Sequence, residues 1–372
     1  MSLRDLKTAA ERQNFLSERL HLNIDAISNA LSDAEDDIHC ENLVGAVTVP
    51  LGIAGPLTLK ESARRRYYIP LATTEGALVA SVNRGSKAII FAGGADVFIS
   101  KAGATRGPVF LTGTVKQGVT FRNWIVKHTT EIKSQIEKTS GHLKVKKIDT
   151  KIVGPYVFVR FQCDTDQAMG MNMITIGVQQ AVSFITAKTG IECLAVAGNY
   201  DIDKKPAWLN MVQNRGFEIW AEVTLKEKII KDVLKTTGKK IFNTWLAKCM
   251  IGSALSGSLG FNAHYANIVA AFFTATGQDV AHTVEGSIGI TTMYLNENKT
   301  LTVSVYLPSV MMGTVGGGTG LKTQKEAIGI TQAKTSKDLA KVLGGAILAG
   351  ELSLLASLAE GSLAKIHKTL GR

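Results

Sequence analysis

The chain has 372 residues, 45% of them hydrophobic and 20% charged, with only 7 prolines; it is too long for one ordinary domain and is not composed like a disordered or linker protein. Its formal charge of +11 favours polyanions, but acids lie among the lysines and few aromatics accompany them, which argues against nucleic acid and leaves phosphorylated small molecules or solvated helix faces. Cys40, Cys163, Cys193 and Cys249 form no CxxC pair, so neither a zinc cage nor a disulfide framework is indicated, no metal is expected, and a reducing cytoplasm fits.

From Leu3 to about Ala34 the chain has helical periodicity with mixed charge and no apolar core, which predicts a helical lead-in rather than a signal peptide. ENLVGAVTVPLGIAGPLTL, from Glu41, predicts short extended segments joined by tight turns. In ATTEGALVASVNRGSKAIIFAGG, Thr73 or Thr74 caps a helix, Glu75 lies in its first turn, and Leu78, Val79, Val82 and Ile89 form its apolar face. From about Pro108 to Ala197 the pattern reads strand, helix, strand, helix: VFLTGTV, FRNWIVKHTTEIKSQIEK, KIVGPYVFVRFQC and MGMNMITIGVQQAVSFITAKTG, a compact α+β unit. The remainder predicts mainly helix, clearest in GSALSGSLGFNAHYANIVAAFFTATG, with strand-like SIGITTMYL and LTVSVYLPSV after it. GGAILAGELSLLASLAEGSLA is interrupted by Glu351 and Glu360; its apolar runs fall short of the ~20 residues of a membrane span, so it reads as a buried helix.

Four ionisable residues stand in unusual settings. Glu75 either meets the helix dipole or donates a proton, and donation at pH 7 requires burial or a neighbouring acid to raise its pKa. Lys204, in GNYDIDKKPAWLN, is either a surface turn lysine or, with Asp201, Asp203 and Lys205, part of a cluster able to hold a carboxylate or polarise a carbonyl. Asp279 either caps the next segment or tunes a neighbouring lysine or glutamate. His367 is either a helix-terminal imidazole or a general acid over a thiolate. His264 and Asn267 share one helix face and need polar partners. GTVGGGTGL, with Gly313, Gly316, Gly317, Gly318 and Gly320, is either a flexible loop or a backbone cradle for a pyrophosphate. Neither GxGxxG nor GxxxxGK[ST] is present, which disfavours a Rossmann or P-loop enzyme.

In order, ENLVGAVTVPLGIAGPL, ATTEGALVASVNRGSKAI, ATRGPV, AMGMNMIT, GNYDIDKKPA, GFNAHYANIVAAFFTATGQD, GTVGGGT and LAKIH resemble the hydroxymethylglutaryl-CoA (HMG-CoA) reductase family in its class I form, over nearly everything after residue 38. The resemblance implies four-electron reduction of HMG-CoA to mevalonate and CoA with two NAD(P)H, in the mevalonate pathway of isoprenoid biosynthesis. NADPH is the implied cofactor, with NADH as the alternative. Two other readings are an NAD-linked mevalonate-oxidising enzyme and a non-catalytic CoA- or nucleotide-binding paralogue. The implied α+β fold has a helical N-terminal segment (1–37), a large, mainly helical substrate domain (38–107 and 208–372), an inserted ferredoxin-like dinucleotide-binding domain (108–195) and a catalytic connecting loop (196–207). Active sites shared across a homodimer or higher oligomer, a cytoplasmic location, and no nucleic-acid or membrane partner complete the expectation.

By resemblance, Glu75 helps protonate the mevaldehyde oxygen, Lys204 stabilises the carbonyl and hemithioacetal oxyanion, Asp279 holds the charge network between them, and His367 protonates the departing CoA thiolate. Arg106, Asp203, Lys205, Lys248 and Asn267 would hold the hydroxymethylglutaryl portion, and Ser81, Asn83, Arg84, Lys235 and His264 would lie near CoA. Met169, Gly170, Met171, Asn172, Met173, Val315, Gly316, Gly317 and Gly318 would contact the dinucleotide. The chain departs from the family pattern at Gln167, where Asp is usual; at Ala197, where Ser commonly contacts substrate; and at Gly141, where many members place an arginine for the 2′-phosphate. Lys144 or Lys146 would substitute for that arginine, with different geometry.

Overall fold

The computed structural model describes residues 6–20, 38–62 and 65–361. Helix α1 (Ala9–Leu20) falls within the expected lead-in, whose residues 3–5 and 21–34 lie outside the described set. Strands β1 (Leu51–Leu57) and β2 (Tyr67–Ala72) pair antiparallel as a small sheet. Helix α2 (Leu78–Phe91) starts from Ala77, a residue at φ 71, with no side-chain cap. The expected cap is corrected here: the Thr73 hydroxyl accepts from the Glu75 N–H at 2.9 Å. This local turn holds the chain out of the helix, so Glu75 precedes the first turn instead of lying in it.

The large sheet contains β3 (Asp96–Arg106), β4 (Val109–Leu111), β5 (Lys144–Val153), β6 (Tyr156–Asp164), β7 (Glu192–Ala195), β8 (Arg215–Leu225), β9 (Ile290–Leu295) and β10 (Leu301–Val310). Its order is β7-β4-β6-β3-β8-β10-β9, with β5 also paired to β6. Strand β3 joins the two halves: Asp96 to Gly103 pair with β8, and Ala104 to Arg106 pair with β6. Between β4 and β5 lie α3 (Val115–Lys127), capped by Thr114, and α4 (Thr129–Glu137); α5 (Met171–Thr189) lies between β6 and β7. The segment KIVGPYVFVRFQC, expected as one strand, is the tip and second arm of the β5–β6 hairpin. Gly154, at φ 57, and Pro155 make its turn.

The C-terminal half adds α6 (Trp208–Gln213), α7 (Gly238–Trp245), α8 (Tyr265–Thr276), α9 (Lys322–Ile330) and α10 (Ser336–Glu360). The helix expected through GSALSGSLGFNAHYANIV is broken: a turn at Ser253–Ser256 ends on Gly257 at φ 68, and α8 restarts at Tyr265. This part also carries more strand than expected, because β8, β9 and β10 form three adjacent members of the sheet.

Two apolar clusters pack against the sheet. One gathers Leu57, Ile69, Phe217, Ile219, Phe272, Leu343 and Ile347 among others, and the second gathers Phe110, Phe121, Phe161, Ile174 and Val178. Each such side chain contributes roughly 1.5–3 kcal/mol on burial. Helix α10 is long and apolar enough to cross a membrane, yet 83% of its apolar window is buried within the fold, as expected of a core helix. Small residues let it approach its neighbours. A Cβ on Gly85 of α2 would come within 1.9 Å of the Ala349 carbonyl oxygen, and one on Gly345 within 2.5 Å of Leu57.

Candidate active site

The loop from Val196 to Ala207 is tied to the end of β3. The Gly198 N–H donates to the Gly107 carbonyl at 2.7 Å, and the Thr105 hydroxyl donates to the Asp201 carbonyl at 2.8 Å. Asn199, Ile202 and Lys204 all take positive φ, a conformation that non-glycine residues hold only when their surroundings impose it. Buried charge supplies the restraint. Arg106 pairs with buried Asp201 at 3.1 Å and donates to Thr175 at 2.8 Å. Asp203 accepts from fully buried Arg215 at 2.8 Å and lies 3.8 Å from Arg106. Burial raises the Asp201 carboxyl against the opposing pull of Arg106. Removing either guanidinium would strand a buried carboxylate, at a cost of about 3–5 kcal/mol.

This loop presents Lys204, whose Nζ lies 2.7 Å from Asp279 Oδ2. Its backbone N–H donates to Glu285 Oε1 at 3.3 Å. Asp279 also caps the short turn Val280–His282, as one reading of its sequence position expects, by accepting from the Ala281 N–H at 3.1 Å. Burial disfavours its ionised form, but the Lys204 ammonium, the Ala281 N–H and the His282 ring outweigh that and hold its carboxyl below the usual value.

Glu75 is exposed in the single chain and accepts from Asn267 Nδ2 at 3.0 Å. Asn267 opens onto a polar cleft of about 690 Å³ whose lining includes Lys248, His264, Asn262, Ser258 and Pro206. The N-terminus of α8, which carries His264 and Asn267, is answered from inside: fully buried Glu351 accepts from the Ala263 and His264 N–H groups at 2.9 and 2.7 Å, the favourable placement of an anion at a helix start. His264 Nε2 has no partner among the described residues.

The residues expected near CoA do not all meet there. Ser81 bonds Ser353 at 3.0 Å, and Arg84 bonds Ser353 and Ser357, so both tie α2 to α10. Asn83 accepts from the Gly55 N–H at 3.2 Å. Lys235 is exposed at φ 58, and Lys205, expected instead at the hydroxymethylglutaryl portion, donates to the Asp203 carbonyl at 3.3 Å. His367 lies outside the described residues.

The two segments expected at the dinucleotide lie side by side. Ala168 bridges Val315, and the Thr314 N–H donates to the Gln167 carbonyl at 2.9 Å. Gly313 has no room for a side chain, since a Cβ would meet Met169 N at 2.4 Å, and Gln278 holds its N–H and carbonyl at 2.9 Å each. Gly277 packs as closely on Gly318, so the glycine loop is braced against the segment that ends in Asp279. Gly316 and Gly317 face open space with positive φ, beside exposed Val315. Across from them α5 begins at Gly170, without a side-chain cap, placing Met171, Asn172 and Met173 in its first turn.

Gln167 has a structural task. Its Oε1 accepts from the N–H and hydroxyl of Ser336 at 2.8 and 3.1 Å, adding to the cap of α10. Gln167 also lines a cleft of about 420 Å³ with Gly141, Lys144, Lys101, His142 and Lys337, so two of the departures face one cleft. Lys144 there stands 3.6 Å from Glu137, while Lys146 turns to the Lys101 carbonyl. Ala197 is exposed.

Arg215, Glu285, His282 and Gln278 belong to the site's framework, although sequence reasoning did not single them out. Asp203, His282 and Glu285 bring ligand atoms within 4.8 Å of one another, a metal-like grouping. Arg215 already supplies positive charge to it, pairing with Asp203 and Glu285.

The description of the hydroxymethylglutaryl-coenzyme A reductase family matches residues 8–372. The chain belongs to this family. A 3-hydroxy-3-methylglutaryl-coenzyme A reductase of Methanothermobacter thermautotrophicus is 46% identical over 369 residues, 97% of this chain and 92% of that protein. One from Methanocaldococcus jannaschii is also 46% identical, over 98% of this chain and 93% of its own length. A Catharanthus roseus reductase is 42% identical over 90% of this chain, which spans 57% of that protein. Among solved structures, the class II enzyme of Streptococcus pneumoniae bound to NADPH matches with a TM-score of 0.73 at 18% identity, covering 95% of this chain and 97% of that one. At that identity the likeness concerns the fold alone, and membership in the reductase family rests on the sequence relatives.

Proposed function

We propose that the chain reduces HMG-CoA to mevalonate and CoA in the mevalonate pathway, using two molecules of NADPH. The observation that carries this reading is the Lys204–Asp279 pair at 2.7 Å, held on a charge-anchored loop, with family membership naming the substrate. A bound nicotinamide dinucleotide would supply the hydride for each of the two carbonyl reductions, first of the thioester and then of mevaldehyde. Lys204 answers the negative charge that develops on the carbonyl oxygen in each step, where a preorganised cation is worth several kcal/mol. Collapse of the hemithioacetal breaks the C–S bond, and the thiolate takes a proton from His367. Glu75 protonates the alkoxide of the second reduction, oriented by Asn267.

Arg106, Asp203, Lys205, Lys248 and Asn267 hold the hydroxymethylglutaryl portion, while His264, Ser81, Asn83, Arg84 and Lys235 serve the CoA side. Met169 to Met173, at the start of α5, and the loop from Val315 to Gly318 would hold the dinucleotide. Open backbone at Gly316 and Gly317, and first-turn N–H groups of α5 without a side-chain cap, suit a pyrophosphate. For NADPH, which the Streptococcus pneumoniae enzyme binds, Lys144 would hold the 2′-phosphate, with Lys101 and Lys337 lining the same cleft. No step calls for a metal.

The division of labour follows the two apolar clusters: a ferredoxin-like dinucleotide domain at 108–195, a substrate domain from 38–107 and 208–372, the catalytic loop at 196–207 between them, and the N-terminal segment 1–37. The split order β7-β4-β6-β5 supports the first assignment. We further propose a cytoplasmic homodimer with shared active sites. Val47, Val49, Leu51 and Ile53 expose an apolar stripe, with Val47 at 85%, and Glu75 lies open, as a surface awaiting a second subunit would.

The test is HMG-CoA-dependent oxidation of each reduced dinucleotide, followed by absorbance. Turnover with kcat/KM higher for NADPH supports the reading; turnover with NADH alone would reassign the cofactor, and none with either would overturn the function.

A further inference from the structure

Behind the Lys204–Asp279 pair stands a histidine that no role above uses. His282 is fully buried, three residues after Asp279 on the short turn that Asp279 caps. Its Nδ1 lies 2.7 Å from Glu285 Oε1, and the same oxygen takes the Arg215 guanidinium and the Lys204 N–H. One buried carboxylate therefore fixes both the backbone of Lys204 and the direction of the His282 ring.

Held in this way, the ring aims Nε2 at the back of the pair. Nε2 lies 3.7 Å from Asp279 Oδ2 and 3.8 Å from Asp203 Oδ1, with no hydrogen-bond partner among the described residues. A buried polar atom left in this state usually has a task, because its desolvation is otherwise uncompensated. The local charge indicates which task. Four carboxylates, Asp201, Asp203, Asp279 and Glu285, are linked to three fixed cations, Arg106, Arg215 and Lys204. Nδ1 is engaged by Glu285, with Arg215 at 3.4 Å, so Nε2 is the ring atom that faces the oxygens of Asp279 and Asp203.

We infer that His282 is a positioning residue for the reduction: its Nε2–H takes over Asp279 when Lys204 swings to the substrate oxygen. In the resting site Asp279 is satisfied by Lys204. As the ammonium engages the oxyanion, Asp279 Oδ2 loses its partner, while Oδ1 keeps the Ala281 N–H, and Oδ2 pulls the lysine back unless a second donor replaces it. Nε2–H closes by less than 1 Å, from 3.7 Å to about 2.8 Å, and becomes that donor. The inference rests on the reductase reading and adds a residue outside the substrate contacts.

The two amide surrogates of histidine separate the two ring nitrogens. His282→Gln keeps a donor near Nε2, and His282→Asn keeps one near Nδ1. With HMG-CoA and NADPH, His282→Asn should lose at least tenfold in kcat while KM for HMG-CoA stays within about twofold, and mevaldehyde reduction should fall by the same factor. His282→Gln should restore kcat to within about threefold of wild type. A structural role alone would move Tm and leave the kcat of folded protein unchanged. Equal kcat in the two variants, or loss in His282→Gln despite a wild-type Tm, overturns the inference; if His282→Asn does not fold, the His282→Gln result decides. Failure of the wild-type chain to reduce HMG-CoA would instead overturn the function itself.

Discussion

At the scale of single residues, Lys204 is the side chain on which the proposed reduction depends most. Lys204→Ala should abolish reduction of both HMG-CoA and mevaldehyde, a loss of several orders of magnitude in kcat, because both hydride transfers build charge on an oxygen that it faces. His367→Gln should impair only thioester reduction, since mevaldehyde expels no thiolate; equal loss on both substrates in a steady-state assay would remove its assigned role. Asp279 makes a pH prediction. Burial opposes its ionisation, yet Lys204, Ala281 and His282 prevail and depress its pKa in the fold. Its contribution to stability is therefore full above the ordinary aspartate value of about 3.9 and is lost as pH falls through the depressed one. In chemical denaturation, the stability gap between wild type and Asp279→Asn should persist at pH 5 and close only at strongly acid pH. Glu75, Lys204 and Asp279 were legible because short motifs surround them. Arg215, His282 and Glu285 were not, because their meaning lies in contacts 67 to 81 residues apart in the chain, such as Arg215 to His282 and Lys204 to Glu285. Gln167 was legible only as a departure; its side chain accepts from Ser336 through Oε1 and donates through Nε2 to Asp166 Oδ1 at 3.1 Å, a donor role that a carboxylate cannot fill.

At the scale of elements, close backbone approach sets the frame that holds the site. Helices α2 and α10 cross at Gly85, so Gly85→Ala forces a methyl group against the Ala349 carbonyl. Urea unfolding should show a loss of about 1–3 kcal/mol, the usual cost of overpacking; an unchanged midpoint would mean that the helices are not in contact. Sequence periodicity identified α10, β9 and β10 well, since their burial follows one clear pattern. It missed β8, although Phe217, Ile219, Ala221, Val223 and Leu225 alternate inward along it. It also ran β5 and β6 together, since the Gly154–Pro155 turn sits within an unbroken β-branched stretch. The start of α2 was displaced because Thr73 bonds forward to Glu75 in a turn, a competition between cap and turn that residue types alone do not resolve.

For the whole molecule, one continuous sheet carries both apolar clusters, and the loop that presents Lys204 lies close to the strand that joins them. Burial pushes the thiols of Cys163 and Cys249 up to about 12, while Cys40 is exposed. At pH 8 a disulfide reagent should modify Cys40 in the native protein and reach Cys163 and Cys249 only after unfolding; rapid reaction at Cys163 or Cys249 in the native protein would contradict the packing. If sites are shared between subunits, mixing inactive Glu75→Ala and Lys204→Ala chains under exchange should recover a measurable fraction of wild-type rate, whereas no recovery would confine each site to one chain. The central claim is the four-electron reduction, and the ratio of dinucleotide oxidised to CoA released measures it directly. Two NADPH consumed for each free CoA thiol is the predicted result. A ratio of one, with an aldehyde as final product, would contradict it.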